Sequence, residues 1–279
     1  MPYDVSGQPT WGLLMAAEHW VLVCESDAAG SRVPLGQRVD FDQTLLVGRE
    51  GQLPLGVEVY DAGISRTAVS ATPTAEGWLI KMLNRNGAVV HPWGLAPYRA
   101  QSVQLLRWPL IGIRVAGAEP DLQHWVLLES DDDLIGADGT STQGQPMLTR
   151  RGAPPPPLAP AELSALQVVF EDYLAWPPPT KPPMPRQLKQ VATRLGKSLS
   201  GVQDRLRSAQ EKALRLGLPR PTTLTQPDYF HVLVAAGYIS PSTERPFRLD
   251  HAARPIERTM PNATAGSPSS PSARVEPER

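Results

Sequence analysis

The first half of the chain is divided into apolar runs of four or five residues, which are too short to form stable helices. Glycine, proline, aspartate and asparagine separate these runs, as they do in antiparallel all-β domains. The runs lie at residues 19–23, 44–47, 57–60, 78–82, 103–106, 111–115 and 125–128. The pattern therefore predicts an all-β sandwich over residues 1–130.

The composition allows two modest domains, because 41% of the 279 residues are hydrophobic. The 31 prolines indicate that much of the remaining chain is linker. Cys24 is the single cysteine, which excludes an intrachain disulfide and fits a reducing compartment. No run reaches the ~18 apolar residues of a membrane span, and the N-terminus lacks the pattern of a signal peptide. We expect a cytoplasmic protein with no membrane partner.

Residues 131–159 lose all periodicity and contain an acidic stretch, a Gly/Ser/Thr stretch and four consecutive prolines. They predict an extended, semi-rigid linker. Thr140, Ser141 and Thr142 lie in this linker as candidate phosphorylation sites, which the sandwich could bind within its own chain. Residues 241–279 are polar and rich in Pro, Ser and Arg, which predicts a disordered tail.

Helical periodicity begins after Pro160 and predicts an all-α domain over residues 160–240. Apolar stripes run over residues 163–174, 188–195, 202–216 and 229–236. Gly196 and Gly217 follow two of the stripes and are expected to end those helices. Six prolines exclude a helix between residues 176 and 185.

The net charge of −1 conceals two halves of opposite sign. Residues 1–149 carry 17 acidic and 9 basic side chains, a balance of −8, whereas residues 180–220 carry 10 basic and 2 acidic ones, a balance of +8. Such an asymmetry indicates that the two halves meet different partners.

Three polar loop tips interrupt the predicted strands: Gly48-Arg49, Ser65-Arg66, and the tetrapeptide Asn84-Arg85-Asn86-Gly87. Because loop tips converge at one end of a sandwich, a guanidinium, a hydroxyl and a carboxamide would together form a site for an oxyanion. Taken singly, the arginine could be a solvated loop charge and Asn-Gly a simple hairpin turn. The ordered set favours the anion site.

In this order the fragments resemble the forkhead-associated (FHA) domain, whose pattern is Gly-Arg, then Ser-Arg-x-His, then Ser-x-Asn-Gly-Thr. The resemblance covers roughly residues 18–118 and implies a module that binds phosphothreonine peptides. It implies a phosphopeptide site formed by Arg49, Ser65, Arg66, Asn84 and Asn86, with Gly48 and Gly87 permitting the turns. The family's histidine and threonine are replaced here by Ala68 and Ala88.

The basic helical segment is similar to the helix-turn-helix output domains of sigma factors and response regulators. Ala192, Gly196 and Val202 have the small, turn and buried positions of that motif. The resemblance implies double-stranded DNA as a partner, with Lys197, Ser200, Gln203 and Arg207 as its contacts. Asp204 and Glu211 face the same side as Gln203 and Arg207 and oppose binding to a polyanion, so a helical module that packs against protein is the alternative.

The sequence contains no glycine-rich phosphate cradle, nucleophile elbow, kinase signature or metal-ligand spacing. It predicts neither an enzyme nor a bound cofactor or metal. The resemblances imply a phosphothreonine-reading adaptor in Ser/Thr kinase signalling, with a kinase or its substrate as partner and transcription regulation through DNA as output. The alternatives are a scaffold whose helices bind protein, and a degenerate sandwich that binds unphosphorylated partners.

Overall fold

The computed structural model describes residues 18–32, 34–131, 154–179 and 181–242. The strands in these ranges are β1 (His19–Asp27), β2 (Gly30–Ser31), β3 (Leu35–Arg38), β4 (Leu45–Gly48), β5 (Leu53–Pro54), β6 (Val69–Thr74), β7 (Gly77–Met82), β8 (Ala88–Pro92), β9 (Tyr98–Arg99), β10 (Val103–Leu106), β11 (Leu110–Val115) and β12 (Gln123–Ser130). The helices are α1 (Pro160–Val169), α2 (Glu171–Leu174), α3 (Leu188–Leu195), α4 (Leu199–Arg215) and α5 (Asp228–Ala235). Thr140, Ser141, Thr142 and almost all of the predicted tail lie outside the described residues.

The strands form two sheets. The larger sheet has the order β2-β1-β12-β11-β8-β9, with β3 also paired to β1, and the smaller sheet has the order β10-β7-β6-β4-β5. All pairs are antiparallel except β4 with β5, which is parallel. The central pair, β1 with β12, holds Val21 opposite Leu128 and Val23 opposite Val126.

The core of the sandwich lies between the two sheets. Val21, Ile113 and Val126 point inward from the larger sheet, and Val47 and Trp78 meet them from the smaller one; all five are buried. Alternation of inward and outward residues along each strand produces this single apolar layer. The predicted β-sandwich is therefore observed.

The outer face of the larger sheet is also apolar. Trp20, Leu22, Trp125 and Leu127 form a second buried layer, against which Trp176 of the proline-rich segment packs. Burial on both faces explains why the runs at residues 19–23 and 125–128 are almost continuously hydrophobic rather than alternating.

Helices α1 to α5 share a third core that reaches into the sandwich. Leu166, Phe170, Leu206 and Phe230 are buried in it, together with Leu110 at the start of β11. Aromatic rings fill the centre, where Phe170 stacks on Phe230 with 4.7 Å between ring centroids. The helical domain and the sandwich therefore pack against each other.

One predicted strand is wrong. Residues 57–60 form turns, with the side chains of Val57 and Tyr60 exposed. The backbone N–H groups of Gly56 and Val59 donate to the buried Glu25 carboxylate, at 2.6 and 3.5 Å, and these bonds replace pairing with another strand. The other six predicted runs all form strands.

Six strands were not predicted, namely β2, β3, β5, β6, β8 and β9. The most important is β6, which lies between β7 and β4 in the smaller sheet. Its sequence, VSATPT, hides the apolar alternation because the inward residue that follows Val69 is the small Ala71, and Pro73 lies near the end of the strand.

The helices begin and end close to the predicted positions. Gly196 caps α3 in the left-handed conformation, with φ of 60°, as predicted. The stripe at residues 163–174 is not one helix, because the backbone leaves the helical region at Phe170 and separates α1 from the four-residue α2. Ser208 of α4 faces α1, where its hydroxyl donates to Glu162 over 2.5 Å.

Candidate anion-binding cleft

The three predicted loop tips meet at one end of the sandwich and enclose an open cleft of about 680 Å³. The tips follow β4, precede β6 and connect β7 to β8. The residues that line the cleft are Arg49, Ala62, Gly63, Ile64, Ser65, Arg66, Thr67, Arg85 and Asn86. Four of the five predicted phosphopeptide residues are thus brought together.

Arg49 is held in place by two hydrogen bonds, one from its backbone and one from its guanidinium. Its N–H donates to Ser65 O at 3.2 Å, and its Nε donates to Ile64 O at 2.6 Å. Among the described residues neither terminal guanidinium nitrogen has a protein acceptor. Gly48 allows this approach, because a Cβ there would lie 2.5 Å from Arg66 O.

Ser65 and Arg66 supply a hydroxyl and a second guanidinium. The Ser65 hydroxyl accepts a hydrogen bond from the Arg85 N–H at 3.2 Å, so its own proton can be donated to a ligand. Arg66 forms an exposed ion pair with Glu50 at 3.2 Å. A phosphate would compete with that carboxylate for the guanidinium.

Asn84 does not line the cleft, contrary to the predicted contact with a peptide. It is buried, its Oδ1 accepts from Ser65 N at 2.9 Å, and its Nδ2 donates to Gly87 O and Ala116 O at 3.2 and 2.7 Å. Both ends of the amide are engaged within the protein. The residue therefore holds the loop tips together from below.

Asn86 is exposed at the rim, where its Nδ2 donates to Gly63 O and to Gly117 O, each at 3.2 Å. In the described part of the chain its Oδ1 has no hydrogen-bond donor, so that oxygen can accept from a peptide N–H. Gly87 has φ of 80° with open space around its Cα, which fits the predicted turn.

Arg85 is the second residue of the Asn84–Gly87 loop tip and was not among the predicted phosphopeptide contacts. It is exposed, lines the cleft, and has no carboxylate partner among the described residues. Its position between Asn84 and Asn86, two predicted contacts, was the sequence signal that could have identified it as a cleft residue. With Arg49 and Arg66 it gives the cleft three guanidinium groups, and within the described ranges Glu50 is the one carboxylate paired with them.

The four candidate DNA contacts lie in or before the first half of α4. Lys197, Ser200 and Arg207 are exposed and Gln203 is half-buried. Arg207 is paired with Asp204 at 2.8 Å. The three-residue connection between α3 and α4 has the short length that a helix-turn-helix requires.

The cleft and the helices lie at opposite ends of the same strands. β8 begins next to Gly87 at the cleft and ends next to Trp93, whose indole Nε1 donates to Leu174 O at 3.0 Å. β11 runs the other way, from Leu110 in the helical core to Val115 beside the cleft-forming loop. Helix packing therefore leaves the cleft open.

No protein-family model matches the chain, and no curated protein does. Among solved structures, it is similar to the FHA domain of the CT664 protein from Chlamydia trachomatis, with 18% identity and a TM-score of 0.30 over 40% of this chain and 96% of that one. It is similar to the FhaA FHA domain complexed with the intracellular domain of Rv3910, with 20% identity and a TM-score of 0.26 over 39% and 99%. The third is Mycobacterium tuberculosis Rv1747 FHA-1, with 13% identity and a TM-score of 0.26 over 39% and 96%.

Within the described ranges, no helix combines the length and the apolar character that crossing a bilayer requires.

Proposed function

We propose that the cleft binds the phosphothreonine side chain of a protein partner, and that the protein is an adaptor in Ser/Thr kinase signalling rather than an enzyme. The observation that carries the proposal is the convergence of Arg49, Arg66 and Arg85 with the Ser65 hydroxyl on one open cleft. A phosphothreonine brings three acceptor oxygens and about −1.5 to −2 charges at neutral pH.

The charges of the cleft match such a ligand. Three guanidinium groups and the Glu50 carboxylate leave a balance of +2, and Arg49 is already oriented by its bond to Ile64 O. Preorientation lowers the entropy lost on binding, and guanidinium–phosphate bonds are charge-assisted and bidentate. Asn86 Oδ1 at the rim can accept a hydrogen bond from a backbone N–H of the same peptide.

Titration of the full chain with a randomised phosphothreonine peptide library tests the proposal, with the unphosphorylated library as comparison. Arg49→Ala should weaken binding by roughly ten- to a hundredfold, the scale of one or two charge-assisted hydrogen bonds. Arg107→Ala is the matched control, because Arg107 pairs with Glu76 at the far end of the sandwich. Equal affinity for both libraries would refute the proposal.

The DNA-binding output predicted from sequence receives no support from the charges. Counting residues 160–240, 10 basic side chains face 6 acidic ones, a balance of +4. Arg186 and Arg194 pair with Glu171, Lys212 with Glu162, and Arg207 with Asp204. The helical domain as a protein-binding scaffold is therefore the reading we favour. A salt-sensitive mobility shift with random duplex DNA would restore the DNA hypothesis.

A further inference from the structure

Three buried titratable side chains meet beneath the cleft. His124 of β12 lies between Glu25 of β1 and Asp61 of the turn before β6, and each is at most 5% exposed. The imidazole Nδ1 is 2.8 Å from Glu25 Oε1, and Nε2 is 3.3 Å from Asp61 Oδ2. The second contact is within ion-pair distance without hydrogen-bond alignment.

The two carboxylates also hold the loop that forms one wall of the cleft. Glu25 accepts from the N–H groups of Gly56 and Val59. Asp61 accepts from Gly63 N at 2.7 Å and from Ala118 N at 2.9 Å. Burial by itself would raise the pKa of Asp61, but these amide bonds and the nearby His124 outweigh it and lower the pKa, which keeps the carboxylate charged.

This bonding reaches the cleft through two glycines. Gly63 and Gly117 both present their carbonyls to Asn86 Nδ2. Both segments pack closely against their neighbours, since a Cβ on Gly63 would lie 2.1 Å from Ala118 N, and one on Gly117 would lie 1.8 Å from Asp61 Oδ2. A movement of the Asp61 carboxylate would therefore displace both carbonyls that orient Asn86.

We infer that His124 is a positioning residue for the cleft: held by Glu25, it fixes Asp61, and Asp61 fixes the Gly63 and Gly117 segments that set the cleft wall and Asn86. The binding part of this inference rests on the proposed function, whereas the positioning part does not. Without the imidazole, two buried carboxylates would face each other across its place, and mutual repulsion would drive them apart.

The experiment uses the full chain with His124→Leu and His124→Gln, and His91→Gln as the matched control on β8. Amide hydrogen exchange measures positioning directly. We expect the Gly63 and Ala118 amides to exchange at least tenfold faster in His124→Leu, with unchanged exchange in β7. His124→Gln should restore part of the protection, because its amide can still donate to Glu25.

Binding of the randomised phosphothreonine library supplies the second readout. We expect His124→Leu to weaken it at least tenfold and His91→Gln to leave it unchanged. If the wild type fails to bind, the proposed function fails while the exchange result still decides the positioning role. Wild-type exchange at Gly63 and Ala118 in a folded His124→Leu would overturn the inference.

Should both His124 variants fail to fold, Asp61→Asn decides, since it keeps the shape of the side chain and removes its charge. Faster exchange confined to Gly63 and Ala118 would support the inference. Unchanged exchange, or failure of this variant to fold as well, would overturn it, because the cluster would then support the whole sandwich and not the cleft.

Discussion

Trp176 donates its indole N–H to Glu129 Oε1 over 2.7 Å, which joins the proline-rich segment to the last strand of the sandwich. Glu129 is fully buried, so this carboxylate depends on protein donors. The bond and the tryptophan ring together close the outer face of the larger sheet.

Trp176→Phe should lower the free energy of unfolding by about 2 kcal/mol, because the fully buried side chain of Glu129 loses a hydrogen-bond donor. Trp108→Phe is the comparison, since its indole donates to the neutral carbonyl of Trp93 at 3.0 Å and its loss should cost about 1 kcal/mol. Urea unfolding at pH 7 measures both. An equal loss in the two variants would show that ring volume matters and the Glu129 bond does not.

Glu162→Gln should destabilise the helical domain by about 3 kcal/mol, the cost of breaking a largely buried ion pair. Glu162 accepts from Ala159 N, Ser208 Oγ and Lys212 Nζ. Its pKa is lowered because these bonds outweigh the effect of burial, so its stabilisation is present above the ordinary value of 4.5 and is lost as pH falls below it. Glu211→Gln, at an exposed position of α4, should change stability by less than about 0.5 kcal/mol.

Gly48→Ala should destabilise the sandwich by about 3 kcal/mol and abolish the proposed phosphopeptide binding, because its Cβ would collide with backbone atoms of Arg66 and Ala68. Gly87→Ala is the comparison that separates the effect of steric crowding from the effect of backbone conformation. Gly87 also has positive φ, but open space surrounds it, so its variant should cost about 1 kcal/mol. Thermal unfolding of both proteins provides the test, and equal melting temperatures would contradict the assigned role of close packing at Gly48.

Lowering the pH should reduce the free energy of unfolding, because His91 has a lowered pKa in the folded protein. Burial, with the nearby Arg114, lowers the pKa of its imidazole from 6.5 to about 4. Between these values the unfolded chain binds a proton that the folded chain does not, so stability falls as pH falls from 6.5 to 4. His91→Gln should lose less stability than the wild type between pH 7 and pH 5, and a pH-independent difference between the two would contradict this assignment.

The phosphopeptide affinity proposed for the cleft should fall below pH ~6, where the phosphate takes its second proton and loses charge. Arg85→Ala should weaken binding several-fold and reduce this pH dependence, since it removes one of three guanidinium groups from the cleft. Arg107→Ala should retain both the affinity and the pH profile of the wild type. Titrations at pH 5 and pH 7.5 measure the effect.

The sequence predicted the features that local chemistry determines. Apolar runs located six strands, Gly196 ended α3, and the loop tips carrying Arg49, Ser65 and Asn86 did converge. These follow from periodicity and from the rule that loops at one end of a sandwich meet.

What the sequence did not show depends on contacts between distant segments. The role of Asn84 follows from its bond to Ala116, 32 residues away, and the turn at residues 57–60 follows from Glu25, 31 residues before Gly56. His124 carried no signal in the sequence, because its partners Glu25 and Asp61 are adjacent to it only in the fold. Long-range hydrogen bonds of this kind leave no periodic signal.

The tryptophan-rich outer face of the larger sheet has a practical consequence for any attempt to divide the protein. The predicted linker suggests a domain boundary near residue 130. A fragment ending there would expose Trp93, Leu110 and Trp125 to solvent, because the helices and the proline-rich segment that cover them would be missing. A solvent-exposed aromatic surface of that kind promotes self-association. An isolated sandwich would then aggregate, and its failure to bind a peptide would report on the lost cover rather than on the cleft.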